Sequence, residues 1–205
     1  LNDYQKNQLV QNRSVDLSRG FAGLNRFRFN VFRQRGALAL VARLIPSRIP
    51  SFSELGLPPI VQEFAMQPHG LVLVTGPAGS GKSTTLAAMI EHINSHRSAH
   101  IICLEDPIEY LHAHKQSLIE QREIYEDAPS FAHALQAVFR QSPDVIMVGE
   151  MRDLPTISTA ITAAETGHLV IGTLHTLDAA QSVDRVIDLF PADQQHQIRL
   201  QFSQV

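Results

Sequence analysis

The alternation of apolar and polar residues near the start of the chain predicts a β-hairpin. From Arg26 to Arg33, phenylalanine and valine side chains alternate with arginine and asparagine, which is typical of a strand with one buried face. Gln34-Arg35-Gly36 predicts a turn, and the more apolar residues 37–45 predict a second, antiparallel strand. Four prolines between residues 46 and 59 then interrupt the pattern, so we expect residues 46–59 to form a linker.

After residue 60, short apolar runs alternate with segments that have helical periodicity. Continuous apolar strands separated by helices are typical of a parallel sheet that is covered on both faces. We therefore expect an α/β core over residues 60–205, preceded by a separate unit over residues 1–45. The predicted strands are 71–74, 101–104, 145–148 and 169–174, and the predicted helices lie within 83–95, 129–141, 154–166 and 178–189.

The composition is that of a globular protein, with 44% hydrophobic and 18% charged residues. The single cysteine, Cys103, excludes a disulfide framework or a multi-cysteine zinc site and favours a reducing compartment. No apolar run approaches the roughly 20 residues that a membrane-spanning helix needs. The chain begins with Leu1 rather than Met and reaches Val205 within a helical pattern. We therefore expect it to be a piece of a longer protein.

The net charge of −3 conceals an uneven distribution of charge. Residues 1–50 contain nine Lys and Arg against two acidic residues, a net of +7, whereas residues 51–205 contain eight against eighteen, a net of −10. One interpretation is an ordinary solvated basic sheet face. The other is that the arginine-rich segment meets an anion, which is either a nucleotide phosphate or an acidic neighbouring subunit.

Residues 76–83, Gly-Pro-Ala-Gly-Ser-Gly-Lys-Ser, match the phosphate-loop pattern G-x-x-x-x-G-K-[ST]. Glycines let successive backbone N–H groups surround an anion, and the following helix N-terminus adds its partial positive charge. We expect Lys82 to reach the β and γ phosphates and the Ser83 hydroxyl to bind Mg²⁺. ATP is the expected nucleotide, because the Asn-Lys-x-Asp guanine signature is absent. The predicted binding residues are Gly76, Pro77, Ala78, Gly79, Ser80, Gly81, Lys82, Ser83 and Thr84.

Carboxylates follow two of the predicted strands, where ligands of open α/β sheets bind. Residues 144–150, Asp-Val-Ile-Met-Val-Gly-Glu, have the Walker B pattern, and residues 105–109 read Glu-Asp-Pro-Ile-Glu. The chemistry needs one carboxylate on Mg²⁺ or its waters and another that polarises the attacking water. Glu150 and Glu109 are the candidates, and both assignments remain open. The candidate metal ligands, direct or through water, are Ser83, Glu150, Glu105 and Asp106.

Two histidines flank the last predicted strand, residues 169–174. If His168 and His175 both lie on one extended strand, they are some 23 Å apart. Only His175 is then at the carboxyl end, and we expect it to contact or sense the γ phosphate.

In this order, the motifs resemble those of the type II/IV secretion and pilus-motor ATPase superfamily, in particular the PilT-like retraction ATPases of type IV pili. The resemblance covers about residues 26–199. It rests on residues 70–89 (the Walker A region), 104–109 (similar to the Asp box), 143–153 (the Walker B region) and 166–176 (similar to the His box).

The resemblance implies a RecA-like ATPase core over residues 60–205, preceded by the C-terminal part of a PAS-like α+β N-terminal domain over residues 1–45. It also implies a homo-hexameric ring, in which arginines from the N-terminal domain and from a neighbouring subunit complete the site and stabilise charge on the transferred phosphoryl group. The positions that match these arginines are Arg28, Arg43, Arg140 and Arg152.

The function that this family implies is a cytoplasmic ATP hydrolase that uses ATP and Mg²⁺ to power pilus retraction and twitching motility. Such a motor lies at the inner membrane through the pilus machinery, and its expected partners are the membrane platform protein and a related accessory ATPase. Two alternatives remain: a secretion or pilus-assembly ATPase, and an accessory nucleotide-binding subunit with low turnover. A helicase fits the fold alone, but the aromatic content of 6% offers little for base stacking, so no nucleic acid partner is expected.

Overall fold

The computed structural model describes residues 1–21, 26–46 and 48–205. These residues divide into two units: Leu1–Arg48 with Pro107–Leu111, and Ile49–Asp106 with His112–Val205. The division falls within the linker predicted for residues 46–59. Residue 47 of that linker and residues 22–25 of the predicted first domain lie outside the described residues. The predicted domain bounds themselves stay a prediction.

The first unit contains a helix and a three-stranded antiparallel sheet. The helix is α1 (Asp3–Asn12), and the strands β1 (Ser14–Gly20), β2 (Arg26–Gln34) and β3 (Ala37–Ile45) pair in the order β1-β2-β3. Thus the predicted hairpin is confirmed. Its turn residues Arg35 and Gly36 have φ angles of 49° and 81°, the left-handed backbone that a two-residue hairpin loop requires.

A small core holds the first unit together. The alternation of the hairpin places Phe29 and Val31 on one face of the sheet, where they pack against Leu9, Val15 and Leu17. Arg26 and Arg28 of β2 are therefore on the other face, whereas Arg33 shares the face of Phe29 and Val31.

The second unit is a five-stranded parallel sheet with helices on both faces, so the predicted α/β fold class is confirmed. All four predicted strands and all four predicted helices are present. The strands β4 (Gly70–Thr75), β5 (His100–Glu105), β6 (Leu118–Glu123), β7 (Val145–Val148) and β8 (Leu169–Leu174) have the order β4-β8-β7-β5-β6. The helices are α2 (Ile60–Ala65), α3 (Lys82–His96), α4 (Phe131–Val138), α5 (Leu154–Glu165), α6 (Ala179–Asp188) and α7 (Gln195–Phe202).

Burial on both faces explains why these strands are continuously apolar. In β5, Ile102 and Leu104 belong to the hydrophobic cluster formed with α4, α5 and α6, whereas Ile101 and Cys103 belong to the cluster formed with α3 on the opposite face. Because all five strands are parallel, the segments that follow β4, β8, β7 and β5 leave the same edge of the sheet. We call this the carboxyl edge.

Part of the predicted linker packs on the second unit. Phe52 is only 5% exposed and lies in the cluster formed with α3, with Leu55 and Leu57 beside it. Within the described part of the chain, none of the helices has the length and apolar character to cross a membrane.

Candidate active site

The loop between β4 and α3 has the backbone that the phosphate-loop pattern requires. Gly76 and Gly81 have φ angles of 149° and 95°, which other residues rarely adopt. A Cβ at Gly76 would lie 2.6 Å from the Ser80 Oγ atom, so the loop also closes too tightly there for a side chain. Gly81 is the N-cap of α3, and no side chain of the described residues caps this helix. A helix N-terminus without a side-chain cap is the kind of site at which proteins bind anions.

The Lys82 ammonium group lies against the same loop. Its Nζ atom donates hydrogen bonds to the carbonyl oxygens of Gly76 and Pro77, at 2.9 and 3.0 Å. The lysine charge is thus held beside the N-terminus of α3, and Ser83, the next residue, is exposed there. A cation beside the N-terminus of a helix provides the chemistry that polyphosphates need.

Glu150 is held at the carboxyl edge by both neighbouring strands, although β7 itself ends at Val148. On one side, Gly149 N donates to Leu104 O of β5 at 2.7 Å. On the other side, the Thr173 hydroxyl of β8 donates to Gly149 O at 2.6 Å, and Met151 N donates to Thr173 O at 3.0 Å.

The Glu150 carboxylate lies close to Arg152 and His175. Its Oε2 atom is 2.7 Å from Arg152 Nη2 and 3.8 Å from His175 Nε2, and its side chain is 20% exposed. The structure therefore brings together three predicted site residues, Glu150, Arg152 and His175. Their predicted catalytic roles stay predictions.

The two histidines that flank β8 lie at opposite ends of that strand, as predicted. His175 follows the strand at the carboxyl edge. His168 precedes it, where its Nδ1 atom is 2.9 Å from Ala163 O and its ring packs edge-on against Phe139 at 5.8 Å. These contacts give His168 a structural role at the end of α5.

Glu105, the last residue of β5, lies next to the Glu150 segment. A Cβ at Gly149 would be 3.4 Å from the Glu105 Cα atom, so the two strand ends are in close contact. Glu105 is buried and accepts a hydrogen bond from Gln121 Nε2 at 2.9 Å, while Asp106 is exposed. Burial, together with the Glu105 charge, raises the pKa of the Cys103 thiol well above its usual value, so this cysteine stays a neutral core residue.

The predicted magnesium ligands fit a site in which phosphate oxygens and waters complete the coordination better than a site made of protein ligands alone. Among the described residues, no group of three or more His, Cys, Asp or Glu side chains could hold a metal ion. Mg²⁺, however, is commonly held by one or two carboxylates, a hydroxyl group, waters and phosphate oxygens. Ser83 at the start of α3 and the carboxylates at the carboxyl edge are such donors.

Glu109 and two of the predicted arginines belong to the first unit. Arg28 and Arg43 are directly opposite each other on β2 and β3, so their side chains are on the same face of the sheet. The Arg28 Nη1 atom is 3.6 Å from the Glu109 Oε1 atom. The first unit therefore groups the second candidate base with the arginines that the resemblance assigns to the N-terminal domain.

Arg140 lies elsewhere. It follows α4 and precedes β7, so it is at the amino-terminal edge of the sheet, opposite the edge that carries Glu150. Asp144, the first residue of the Walker B pattern, is at that same edge and accepts a hydrogen bond from His100 N at 2.7 Å. Within one chain Arg140 is not near the phosphate loop, and its predicted role would require a second chain.

A buried polar network near the end of α3 was not predicted from the sequence. The His112 Nδ1 atom is 3.2 Å from the Glu91 Oε2 atom, and Asn94 Nδ2 donates to Ala113 O at 2.8 Å. Burial lowers the pKa of His112 despite the nearby Glu91 carboxylate. Burial acts to raise the pKa of Glu91, but hydrogen bonds from Lys115 and His112 outweigh it, so this pKa is below its usual value. The network fixes the loop before β6 to the helix that begins at the phosphate loop.

Comparison with known proteins agrees with this arrangement. The chain is 53% identical over 204 residues to the twitching motility protein of Neisseria gonorrhoeae, and the match covers 100% of this chain and 54% of the relative. It is 48% identical over 204 residues to the type IV pilus retraction ATPase PilT of Pseudomonas aeruginosa, covering 100% of this chain and 59% of the relative. A crystal structure of the pilus retraction motor PilT with bound ADP superposes with a TM-score of 0.94 at 54% identity, covering 99% of this chain and 59% of that one.

The chain spans little more than half the length of these relatives. A family model described as Type II/IV secretion system protein matches residues 11–201, which is nearly the whole chain. The chain therefore belongs to the type II/IV secretion system protein family.

Proposed function

We propose that the protein containing this chain is an ATP hydrolase that uses ATP and Mg²⁺ to power retraction of type IV pili. The observation that carries this proposal is the carboxyl edge of the second unit, where Lys82 lies over a glycine-lined loop and Glu150 is held beside Arg152 and His175. Two relatives, 53% and 48% identical to this chain, are named for twitching motility and for pilus retraction. The crystal structure of a similar pilus retraction motor contains bound ADP.

In this proposal each side chain has a definite task. The loop amides and Lys82 hold the β and γ phosphates, and Ser83 and Glu150, with Glu105 and Asp106 nearby, hold Mg²⁺ directly or through water. Mg²⁺, when bound, neutralises charge on the phosphate oxygens. Either Glu150 or Glu109 polarises the attacking water, and His175 contacts the γ phosphate.

The position of Arg140 favours a ring of identical subunits. Arg140 is at the sheet edge opposite Glu150, so within one chain it does not reach the phosphates. We propose that a homo-hexamer supplies the predicted arginines across its interfaces. Its further proposed partners are the inner-membrane platform protein and a related accessory ATPase, which place the motor in the cytoplasm at the inner membrane.

The direct test is phosphate release by the full-length protein with Mg²⁺ and ATP. Lys82→Ala should abolish turnover and weaken ATP binding strongly, because the β and γ phosphates lose a point-charge partner. Lys6→Ala is a matched control, since Lys6 is an exposed lysine of α1 that pairs with Asp3. Near wild-type turnover of Lys82→Ala would contradict the nucleotide site. Binding without turnover in the wild type would favour the accessory subunit instead.

The retraction role needs a test in cells. A strain that lacks the gene should extend pili but lose twitching, and wild-type protein should restore it whereas Lys82→Ala should not. A strain that loses pilus assembly or protein secretion instead would support the assembly or secretion alternative.

A further inference from the structure

Thr173 makes two hydrogen bonds that enclose Glu150. It is the fifth residue of β8 and only 2% exposed. Its hydroxyl donates to Gly149 O at 2.6 Å, and its own carbonyl oxygen accepts from Met151 N at 3.0 Å. The first of these bonds holds the peptide group immediately before Glu150, and the second holds the peptide group immediately after it.

Fixing both peptide groups fixes the backbone angles of Glu150. These two angles set the direction of the Cα–Cβ bond and thus the place where the carboxylate can lie. The regular pairing of β7 with β8 ends at Val148 and Gly172, so Glu150 is beyond the strand ladder that would otherwise orient it. The Thr173 hydroxyl is the side-chain contribution to this arrangement.

The surroundings of the Glu150 segment leave little room for a different backbone path. A Cβ at Gly149 would be 3.1 Å from Leu104 O, and a Cβ at Gly172 would be 2.7 Å from the Met151 Cε atom. The segment is therefore packed tightly from β5 and from β8. In addition, Thr173 is two residues before His175, which lies close to the Glu150 carboxylate. Thr173 therefore links the segment that carries Glu150 to the strand end that carries His175.

We propose that Thr173 is a positioning residue that orients Glu150 for hydrolysis without touching the nucleotide. This inference rests on the proposed ATPase function. Loss of the hydroxyl releases the peptide group before Glu150, so the carboxylate shifts relative to the phosphates. The phosphate loop is formed by β4 and α3 and does not depend on this bond, so nucleotide affinity is retained.

The experiment compares two variants of the full-length protein in steady-state turnover with Mg²⁺ and ATP. Thr173→Val keeps the shape of the side chain but removes the donor, and it should lower kcat by about 10- to 100-fold, the scale of a misplacement of about 1 Å. The KM for ATP should change by less than about threefold, because the phosphate loop binds the nucleotide whereas Thr173 orients only the Glu150 carboxylate. Thr173→Ser keeps the hydroxyl and should restore kcat to within about threefold of wild type.

The chain offers a matched control in Thr156, a threonine of α5 that is 0% exposed. Among the described residues its Oγ1 atom has no hydrogen-bond partner. Thr156→Val makes the same chemical change at an equally buried position and should leave kcat unchanged. A further measurement uses Glu150→Gln: adding Thr173→Val to it should cause no additional loss, because the threonine acts only through the glutamate.

Each outcome decides the inference. Wild-type kcat in Thr173→Val, a Thr173→Ser variant as slow as the valine variant, or a further loss on top of Glu150→Gln would overturn the positioning role. Unfolding of Thr173→Val, or loss of ATP-analogue binding in it, would show a purely structural role and would overturn it too. A wild-type protein that lacks turnover would refute the proposed function itself, a result that is distinguishable from all of these.

Discussion

Replacement of Glu150 by glutamine separates catalysis from folding. Glutamine has nearly the same shape, and the backbone bonds of Gly149 and Met151 to neighbouring strands do not involve the side chain. The change therefore removes one negative charge and leaves the Glu150 segment in place.

The structure sets the expected size of both effects. The ion pair that is lost joins Glu150 to Arg152, whose side chain is 67% exposed, and a pair so open to solvent contributes about 1 kcal/mol or less to stability. Loss of a catalytic base or metal ligand instead lowers turnover by at least about 10²-fold. Such a loss corresponds to about 2.7 kcal/mol in the activation barrier. We expect kcat to fall by this amount while thermal stability and nucleotide affinity remain near wild type.

The assay is phosphate release at saturating ATP, with nucleotide binding and thermal unfolding measured on the same preparation. Arg152→Gln is an informative companion, because it removes the other half of the ion pair and leaves the carboxylate. If Glu150→Gln keeps turnover within about threefold of wild type, Glu150 is neither the base nor a required metal ligand. If turnover falls only in proportion to lost stability, the effect is structural and the catalytic reasoning fails.

Three further predictions follow from the structure. Glu109→Gln should keep nucleotide binding and lower turnover by at least about 10²-fold if Glu109 shares the catalytic work; full activity in phosphate release would remove it from the site. Lowering the pH below about 6.5 should destabilise the protein, because the pKa of buried His112 is lowered and the histidine therefore binds a proton more readily in the unfolded chain. Below about pH 4.5 the lowered pKa of Glu91 should decrease the free energy of unfolding further, for the same reason. Thermal unfolding between pH 7 and 5 should show a smaller loss in His112→Gln, and equal losses would refute this. Mixing Lys82→Ala subunits with Arg28→Ala/Arg43→Ala subunits should restore some turnover if the arginines act across an interface, and restoration of none would place them within one chain.

The elements that the sequence predicts well are those buried on both faces. Strands β5, β7 and β8 show as continuous apolar runs because each has a hydrophobic cluster above and below it. Strand β6, with the sequence Leu-Ile-Glu-Gln-Arg-Glu, was not predicted. Among the described strands it is at the edge of the sheet and pairs with β5 alone, and it has buried residues interrupted by exposed ones. Helix α2 was missed for another reason: its six residues are too few to show a helical period.

The site was predictable where its chemistry is local in sequence. The phosphate loop and the Walker B pattern each lie within eight residues, so their residue types and spacing are visible without a structure. The role of Thr173 depends instead on a bond to Gly149, 24 positions away, and thus on the register between two strands.

The charge asymmetry can now be interpreted more narrowly than from the sequence alone. Arg28 and Arg43 are directly opposite each other, and like charges at such a position destabilise a sheet. The Glu109 carboxylate is 3.6 Å from Arg28, with both side chains about 40% exposed, so it offsets only part of this repulsion. A solvated basic face gives no reason to place two arginines in register. A polyphosphate does, because it carries several negative charges within reach of two guanidinium groups. We propose that the paired arginines bind an anion, which is either a nucleotide phosphate or an acidic neighbouring subunit. The subunit-mixing experiment determines whether they act on the nucleotide of their own chain or on that of a neighbouring chain.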